Sequence, residues 1–195
     1  MSPMKKGMLG VERLNLILQQ HLNPKHPKKP EKEFDGKVYR VGDKVMQTKN
    51  NYQIEWSVKN DIGIAMEKGQ GVYNGDIGII RYINDFEEFI RVEFDDRKIV
   101  EYPYSEANQL ELAYAITIHK SQGSEYPAVI IPMYPGPKML MNRNLIYTAI
   151  TRAKTCVALV GEPECFYEMA ENTSQMKRYS SLDRQIKNLL ELNSN

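Results

Sequence analysis

The ten residues Thr117–Tyr126, "TIHKSQGSEY", hold a threonine, a histidine, a lysine, two serines, a glutamine and a glutamate between apolar runs. Polar side chains gathered between two core strands either face a ligand or cap a turn, and spacing alone leaves both open. A threonine at the start of a short helix accepts from its first N–H groups, and a helix N-terminus favours phosphate. His119, Lys120 and Ser121 add donors. Gly123 permits close backbone approach. Glu125 offers an acceptor suited to a sugar hydroxyl. A second group, "NRNLIYTAITRAKT", reads as a helix running into a loop that carries Arg152 and Lys154. Arg143, Tyr147 and Thr151 follow at four-residue spacing on one helical face. An arginine held at such a helix end can direct its planar guanidinium at a polyphosphate, or it can make an ordinary surface ion pair.

These groups need a scaffold. "GVERLNLILQQHLNP" has a helical stripe through Val11, Leu14, Leu18 and Leu22, with Ile17 beside it, stopped by Asn23-Pro24. "NPKHPKKPEKE" is a Pro-rich basic loop. "KVYRVGDKVMQTKN", "GVYNGDIGIIRYIND", "EFIRVEFDD" and "RKIVEYPY" are short strands with Gly-Asp, Asn-Gly and Asp-Asp turns, which predict a small antiparallel β-barrel over about residues 53–108. "LELAYAIT" is strand-like, and "YPAVIIPM" and "CVALVGEP" are continuous apolar runs of the kind found in parallel strands. Helical patterns separate the runs: Met141, Leu145 and Ala149 share a side, and "PECFYEMAEN" has Pro163 at its first turn. A last helix is expected from a Ser181 cap, with Leu182, Ile186, Leu189 and Leu190 as its stripe. The architecture expected is α/β, interrupted by the barrel. In an open α/β sheet ligands gather beyond the C-terminal strand ends, so "TIHKSQGSEY", following "LELAYA", is expected at that edge.

Composition narrows the function classes. A net charge of +1 conceals an uneven distribution: residues 1–49 carry 11 Lys/Arg against 5 Asp/Glu, and residues 85–111 carry 3 against 9. A basic segment suits a polyanion and an acidic one turns away from it. Cys156 and Cys165 form no CxxC pattern, no metal-ligating spacing is present, and buried free thiols fit a reducing cytoplasm. No apolar run has the length of a membrane span. The aromatics Tyr52, Trp56, Tyr73 and Tyr82 serve either the barrel core or base stacking, with the edge Asn50–Trp56 and Tyr73–Asn74 the better placed for DNA.

"AYAITIHKSQGSEYPAVIIP" together with "RNLIYTAITRAK" resembles motifs V and VI of superfamily 1 helicases, in the RecD-like branch (the exodeoxyribonuclease V alpha subunit family). "SPMKKGMLGVERLN" resembles that branch's motif IV region, and "YRVGDKVMQTKNNY" with "VYNGDIGII" its entry into an SH3-like barrel. The resemblance implies a second RecA-like motor domain (a P-loop NTPase fold lacking the P-loop) at 1–52 and 109–195, interrupted by the SH3-like domain at 53–108. It implies that Arg152 is the arginine finger reaching the γ-phosphate of ATP. Lys5, Gly7, Gly123 and Glu125 would border the nucleotide. Thr117, His119 and Ser121, with Asn51 and Tyr52 on the insert, would face single-stranded DNA. ATP and Mg²⁺ would be held mainly by an N-terminal RecA-like domain of the same parent. Further implied partners are the subunits of a nuclease complex, and 5′-to-3′ polarity follows from the resemblance only.

A phosphate-binding loop, Gly-x-x-x-x-Gly-Lys-Ser/Thr, is not in the sequence: Gly36-Lys37 is followed by Val38 and has Glu31 where the first glycine belongs. Asp95-Asp96 ends an alternating strand and suits the barrel better than a Mg²⁺ site. The expectation is a C-terminal motor fragment that alone neither hydrolyses ATP nor unwinds DNA. A non-catalytic nucleic-acid-binding protein with a degenerate motor fold is the alternative.

Overall fold

The computed structural model describes residues 1–60, 64–174, 181, 185–187 and 189. Helix α1 (Val11–Leu22) follows an N-terminal segment whose Ser2 makes a parallel bridge to Thr117. A hairpin of β1 (Glu31–Phe34) and β2 (Lys37–Arg40) leads to β3 (Lys44–Gln47), β4 (Asn51–Lys59), β5 (Ala65–Val72), β6 (Ile77–Asn84), β7 (Phe89–Phe94), β8 (Lys98–Pro103) and β9 (Leu110–Leu112). Strands β10 (Tyr126–Met133) and β11 (Ala153–Gly161) flank α2 (Arg143–Ile150), and α3 (Pro163–Glu171) follows. The expected C-terminal helix, with Leu182 and Leu190 in its stripe, lies largely outside the described residues.

The closed barrel is corrected to an open sheet. Seven strands run in the order β5-β4-β8-β7-β6-β3-β9, all antiparallel, and β5 and β9 stand at opposite ends with no pairing between them among the described residues. The sheet also reaches past 53–108, because β3 and β9 extend it. Its core joins Tyr39, Val45, Leu110 and Leu112 to Ile80, Val92, Val100 and Tyr102. The alternating burial of β7, Ile90, Val92 and Phe94 inward, is the period-2 pattern of a sheet with one covered face.

Strands β10 and β11 are parallel, as their apolar runs predicted. Val129, Ile131 and Met133 of β10 pack with Leu145, Ile146 and Ala149 of α2 and with Cys165 and Met169 of α3. Among the described residues only that face is covered. Ile130 is 61% exposed and Val160 58%, so the pair is not buried on both faces. The same geometry exposes Cys156, which was expected to be buried, while Cys165 is buried.

Helix α1 half-buries Val11, Leu14 and Leu18 of its stripe and fully buries two polar residues beside them. Its bounds are those the periodicity predicts, yet Ile17 and Leu22 are exposed and the buried residues are Asn15 and Gln19. Asn15 Nδ2 donates to the carbonyls of Leu112 and Ala115. Gln19 Nε2 donates to Val38 O and to Asp43. The helix lies against backbone carbonyls of β2, of the end of β9 and of the loop after it, which must be satisfied, so polar side chains face inward.

Candidate nucleotide and nucleic-acid interface

The loop 113–125 is held from two sides. Asn15 fixes Ala115, and Ser2 joins the backbone of Thr117 through Ser2 N to Ile116 O at 3.0 Å and Ile118 N to Ser2 O at 3.1 Å. Thr117 Oγ1 accepts from the N–H of Lys120 at 3.2 Å, the cap its position predicts. The helix it opens is a single 3-10 turn, His119–Ser121. Ser121 is fully buried and its hydroxyl donates to Ile118 O at 2.7 Å. That corrects its expected phosphate-facing role: the hydroxyl is engaged in closing the turn. His119 is exposed, and Thr117 is half-buried.

Gly123 has φ +87°, and no atom lies within 4 Å of where a β-carbon would stand. The turn therefore uses glycine for its left-handed backbone and leaves open space beside it. Past it the chain enters β10, and this corrects the expected edge. "TIHKSQGSEY" sits at the N-terminal end of a parallel strand, because β9 ends in the antiparallel sheet and contributes no parallel strand before it.

Arg152 arrives at the same end, immediately before β11. Its carbonyl accepts from Tyr126 N at 2.8 Å, and its Nη1 lies 3.4 Å from Ser124 O. Thr151 closes α2 by donating its hydroxyl to Tyr147 O at 3.0 Å, while Asn142 caps the other end through Leu145 N. Arg152 Nε is buried and makes no hydrogen bond among the described residues. A buried unpaired N–H is uncommon in folded chains, and the Tyr126 hydroxyl is likewise buried with no partner among the described residues. Glu125, at the same turn, is exposed and pairs with Lys154 at 3.2 Å. Gly123 and Glu125 therefore form one cluster with Arg152, which is distant in sequence. A cleft of about 510 Å³ separates it from the antiparallel sheet, with Glu125 lining one side and Lys44, Arg81, Glu93 and Asp95 the other.

Lys5 belongs to a different group. It pairs with Glu12 at 4.0 Å and with Glu111 at 3.7 Å, and Glu111 in turn holds Lys120 at 2.8 Å. Gly7, at φ +105° in open space, accepts from Gly10 N and turns the chain toward α1. Arg143 is engaged at the end of α3, with its Nε on Ala170 O at 2.6 Å.

On the antiparallel sheet, Asn51 is fully used. Its side chain donates to Glu106 and Gln109 and accepts from Gln53 N and Ile54 N. Tyr52 is 65% exposed and packs edge-on against Tyr73 at 5.8 Å, while Asn50 Oδ1 accepts from Asn74 N at 2.9 Å. The two edges that the sequence marked are thus one patch. Trp56 instead lies against Gly69 and under Lys98. Among the described residues no group of three or more His, Cys, Asp or Glu is arranged to hold a metal, and no helix is long and apolar enough to cross a membrane.

Residues 14–94 match the ATP-dependent RecD-like DNA helicase SH3 domain, and residues 112–160, which contain the Thr117 loop and Arg152, match the UvrD-like helicase C-terminal domain. The chain is 30% identical over 184 residues to the ATP-dependent RecD2 DNA helicase of Deinococcus radiodurans, across 94% of this chain and 23% of that protein. It is 30% identical over 157 residues to the RecBCD enzyme subunit RecD of Mycolicibacterium smegmatis, across 80% of this chain and 24% of the subunit. The chain thus spans about a quarter of the length of these relatives. In structure it resembles a Bacteroides Pif1 helicase solved with ADP-AlF3 and single-stranded DNA, at a TM-score of 0.52 and 19% identity over 93% of this chain and 43% of that one. At that identity the likeness is one of fold. The two domain matches, the RecD-like SH3 domain followed by the UvrD-like C-terminal domain, place this chain in the RecD-like DNA helicase family.

Proposed function

We propose that this chain is the C-terminal part of an ATP-dependent RecD-like helicase that moves 5′ to 3′ on DNA. Its α/β portion acts as the second RecA-like motor domain, and the antiparallel sheet is the SH3-like insert within it. Arg152 is the arginine finger. The observation that carries this reading is its guanidinium, held by Ser124 O beside Glu125, with a buried Nε that no described residue satisfies. A γ-phosphate oxygen is the acceptor such a donor lacks, and a planar guanidinium can meet it with two parallel N–H groups.

Gly123 and Glu125 border the nucleotide, Glu125 toward the ribose. Its pairing with Lys154 holds the carboxylate at the mouth of the cluster until the sugar arrives. Thr117 and His119 face the strand, and the Tyr52–Tyr73 patch extends the track by stacking on bases. Because Thr117 and Gly123 lie on one loop, a change in nucleotide shifts the grip on DNA. ATP and Mg²⁺ are held mainly by an N-terminal RecA-like domain that supplies the phosphate-binding loop, and the chain alone is inactive. Further partners are the subunits of a nuclease complex, in the cytoplasm.

The test recombines this chain with a P-loop-bearing N-terminal half and measures DNA-stimulated ATPase activity. Arg152→Ala should lower the rate by roughly 10³–10⁵ with little change in DNA binding. Retention of full activity removes the finger assignment. Salt-dependent strand binding that no nucleotide alters points instead to a non-catalytic nucleic-acid-binding protein.

A further inference from the structure

Glu111, in β9, gathers ammonium groups from three separate parts of the chain. Lys120 Nζ lies 2.8 Å from one carboxylate oxygen, while Lys5 and Lys37 approach the other at 3.7 and 3.8 Å. Glu111, together with Glu12 at 4.0 Å from Lys5, offsets two of the three charges and leaves one in excess. An ordinary partly exposed ion pair needs one cation and gains little. Holding three ammonium groups around one point adds mutual repulsion, and stability alone gives no reason for it. All three remain partly open to solvent. Lys5, Glu111, Thr117 and Lys120 line one small pocket, and Thr117 Oγ1 anchors the backbone that carries Lys120.

We propose that Lys5, Lys37 and Lys120 form a seat for a backbone phosphate of single-stranded nucleic acid, with Glu111 as the resident counter-ion that keeps the three ammonium groups gathered. The seat rests on the reading of Thr117 and His119 as strand-facing and extends that track to the N-terminal segment and to β2. A nucleotide polyphosphate is the other source of the same chemistry. The strand is favoured because the contacts of Lys5 lead through Glu111 to Lys120 and Thr117, whereas Gly123, Glu125 and Arg152 make their own cluster. Lys5 is thereby moved from the nucleotide to the strand.

The experiment is fluorescence anisotropy of a labelled oligo(dT) with the 195-residue chain across a salt series, in parallel with a fluorescent ATP analogue. Each of Lys5→Gln, Lys37→Gln and Lys120→Gln should reduce the slope of log affinity against log salt by about 0.7, equally on oligo(dA). Glu111→Gln keeps the side chain's shape and removes the competing charge. It should tighten strand binding about two- to fivefold at low salt without lowering the slope. Thermal unfolding beside each titration separates a lost contact from a lost fold. Glu111→Gln, read in the opposite direction, needs no lysine variant to fold. Wild-type slopes in the three lysine variants, or unchanged binding in Glu111→Gln, overturn the seat. Weakened ATP-analogue binding with unchanged oligo(dT) binding assigns it to the nucleotide and also overturns it. Failure of the wild-type chain to bind oligo(dT) under any salt removes the strand reading itself.

Discussion

Asn15 and Ala115 are joined in both directions: Ala115 N–H donates to Asn15 Oδ1 at 2.7 Å, and Asn15 Nδ2 donates back to the Ala115 carbonyl at 3.0 Å. A third bond, to Leu112 O at 2.8 Å, completes the clamp. One helical side chain thus fixes the backbone two residues before Thr117, and the position of the candidate loop depends on it.

Replacing Asn15 with leucine improves the apolar stripe of α1 and should nevertheless destabilise the chain. It strands one buried N–H and two carbonyls, at about 1–3 kcal/mol for each unsatisfied group. Urea unfolding should show a loss of about 3 kcal/mol or more. A gain in stability would mean that the clamp does not govern this contact.

Asp43 is fully buried and accepts from Gln19 at 2.6 Å, Asn23 at 2.6 Å, the Arg40 N–H at 2.7 Å and the Tyr114 hydroxyl at 2.9 Å. Burial, with Asp43 as acceptor, pushes the Tyr114 hydroxyl above the usual tyrosine range. Asp43→Asn turns an NH₂ donor against these donors and should cost about 3–5 kcal/mol, as for breaking a buried charged network. Tyr114→Phe should cost about 1 kcal/mol. Equal effects of the two variants in chemical denaturation would contradict the network.

Trp56 is the only tryptophan, and a β-carbon at Gly69 would stand 2.4 Å from its ring. Gly69→Ala must therefore displace the indole from the facing strand. A loss of about 1–3 kcal/mol is expected from this overpacking, together with a shift in intrinsic fluorescence. An unchanged emission spectrum would place the ring elsewhere.

Burial alone would raise the Glu111 carboxyl, but the hydrogen bond from Lys120 and the charges of Lys120, Lys37 and Lys5 outweigh it and hold the group below the usual carboxylate range. A carboxyl depressed on folding contributes stability above its unfolded value, about 4.3, and loses it as pH falls through the folded value. Glu111→Gln should flatten the acid limb of a stability–pH curve below about pH 4.5. At neutral pH the change should stay small, because the group is partly exposed. An unaltered acid limb would show that the three lysines do not stabilise its charge.

Much of the fold was legible locally. The bounds of α1, the parallel pairing of β10 and β11, the inward row Met141, Leu145 and Ala149 and the threonine cap of the 119–121 turn all follow from side-chain period and capping chemistry within a few residues. The juxtaposition of Gly123 and Glu125 with Arg152 came from motif resemblance, and the contacts of Arg152 with Ser124 and Tyr126 give it a geometric basis. Ser121, Asn51 and Lys5 could not be assigned in the same way. A serine hydroxyl facing a phosphate and one closing a turn look identical in sequence. Only burial and the bond to Ile118 separate them.

By itself the sequence determined the kinds of element, their order and the chemistry available at each turn, because helix period, strand alternation and glycine conformation are properties of adjacent residues. The tertiary structure decided which polar groups remain free. Asn15 meets Ala115 across 100 positions, and Glu111 meets Lys5 across more than that. It also decided that the seven-stranded sheet stays open and that the loop beside Arg152 stands at the start of the parallel strands. Those outcomes depend on strand pairing and on burial between distant segments, where each buried backbone group must find a partner that no local pattern names.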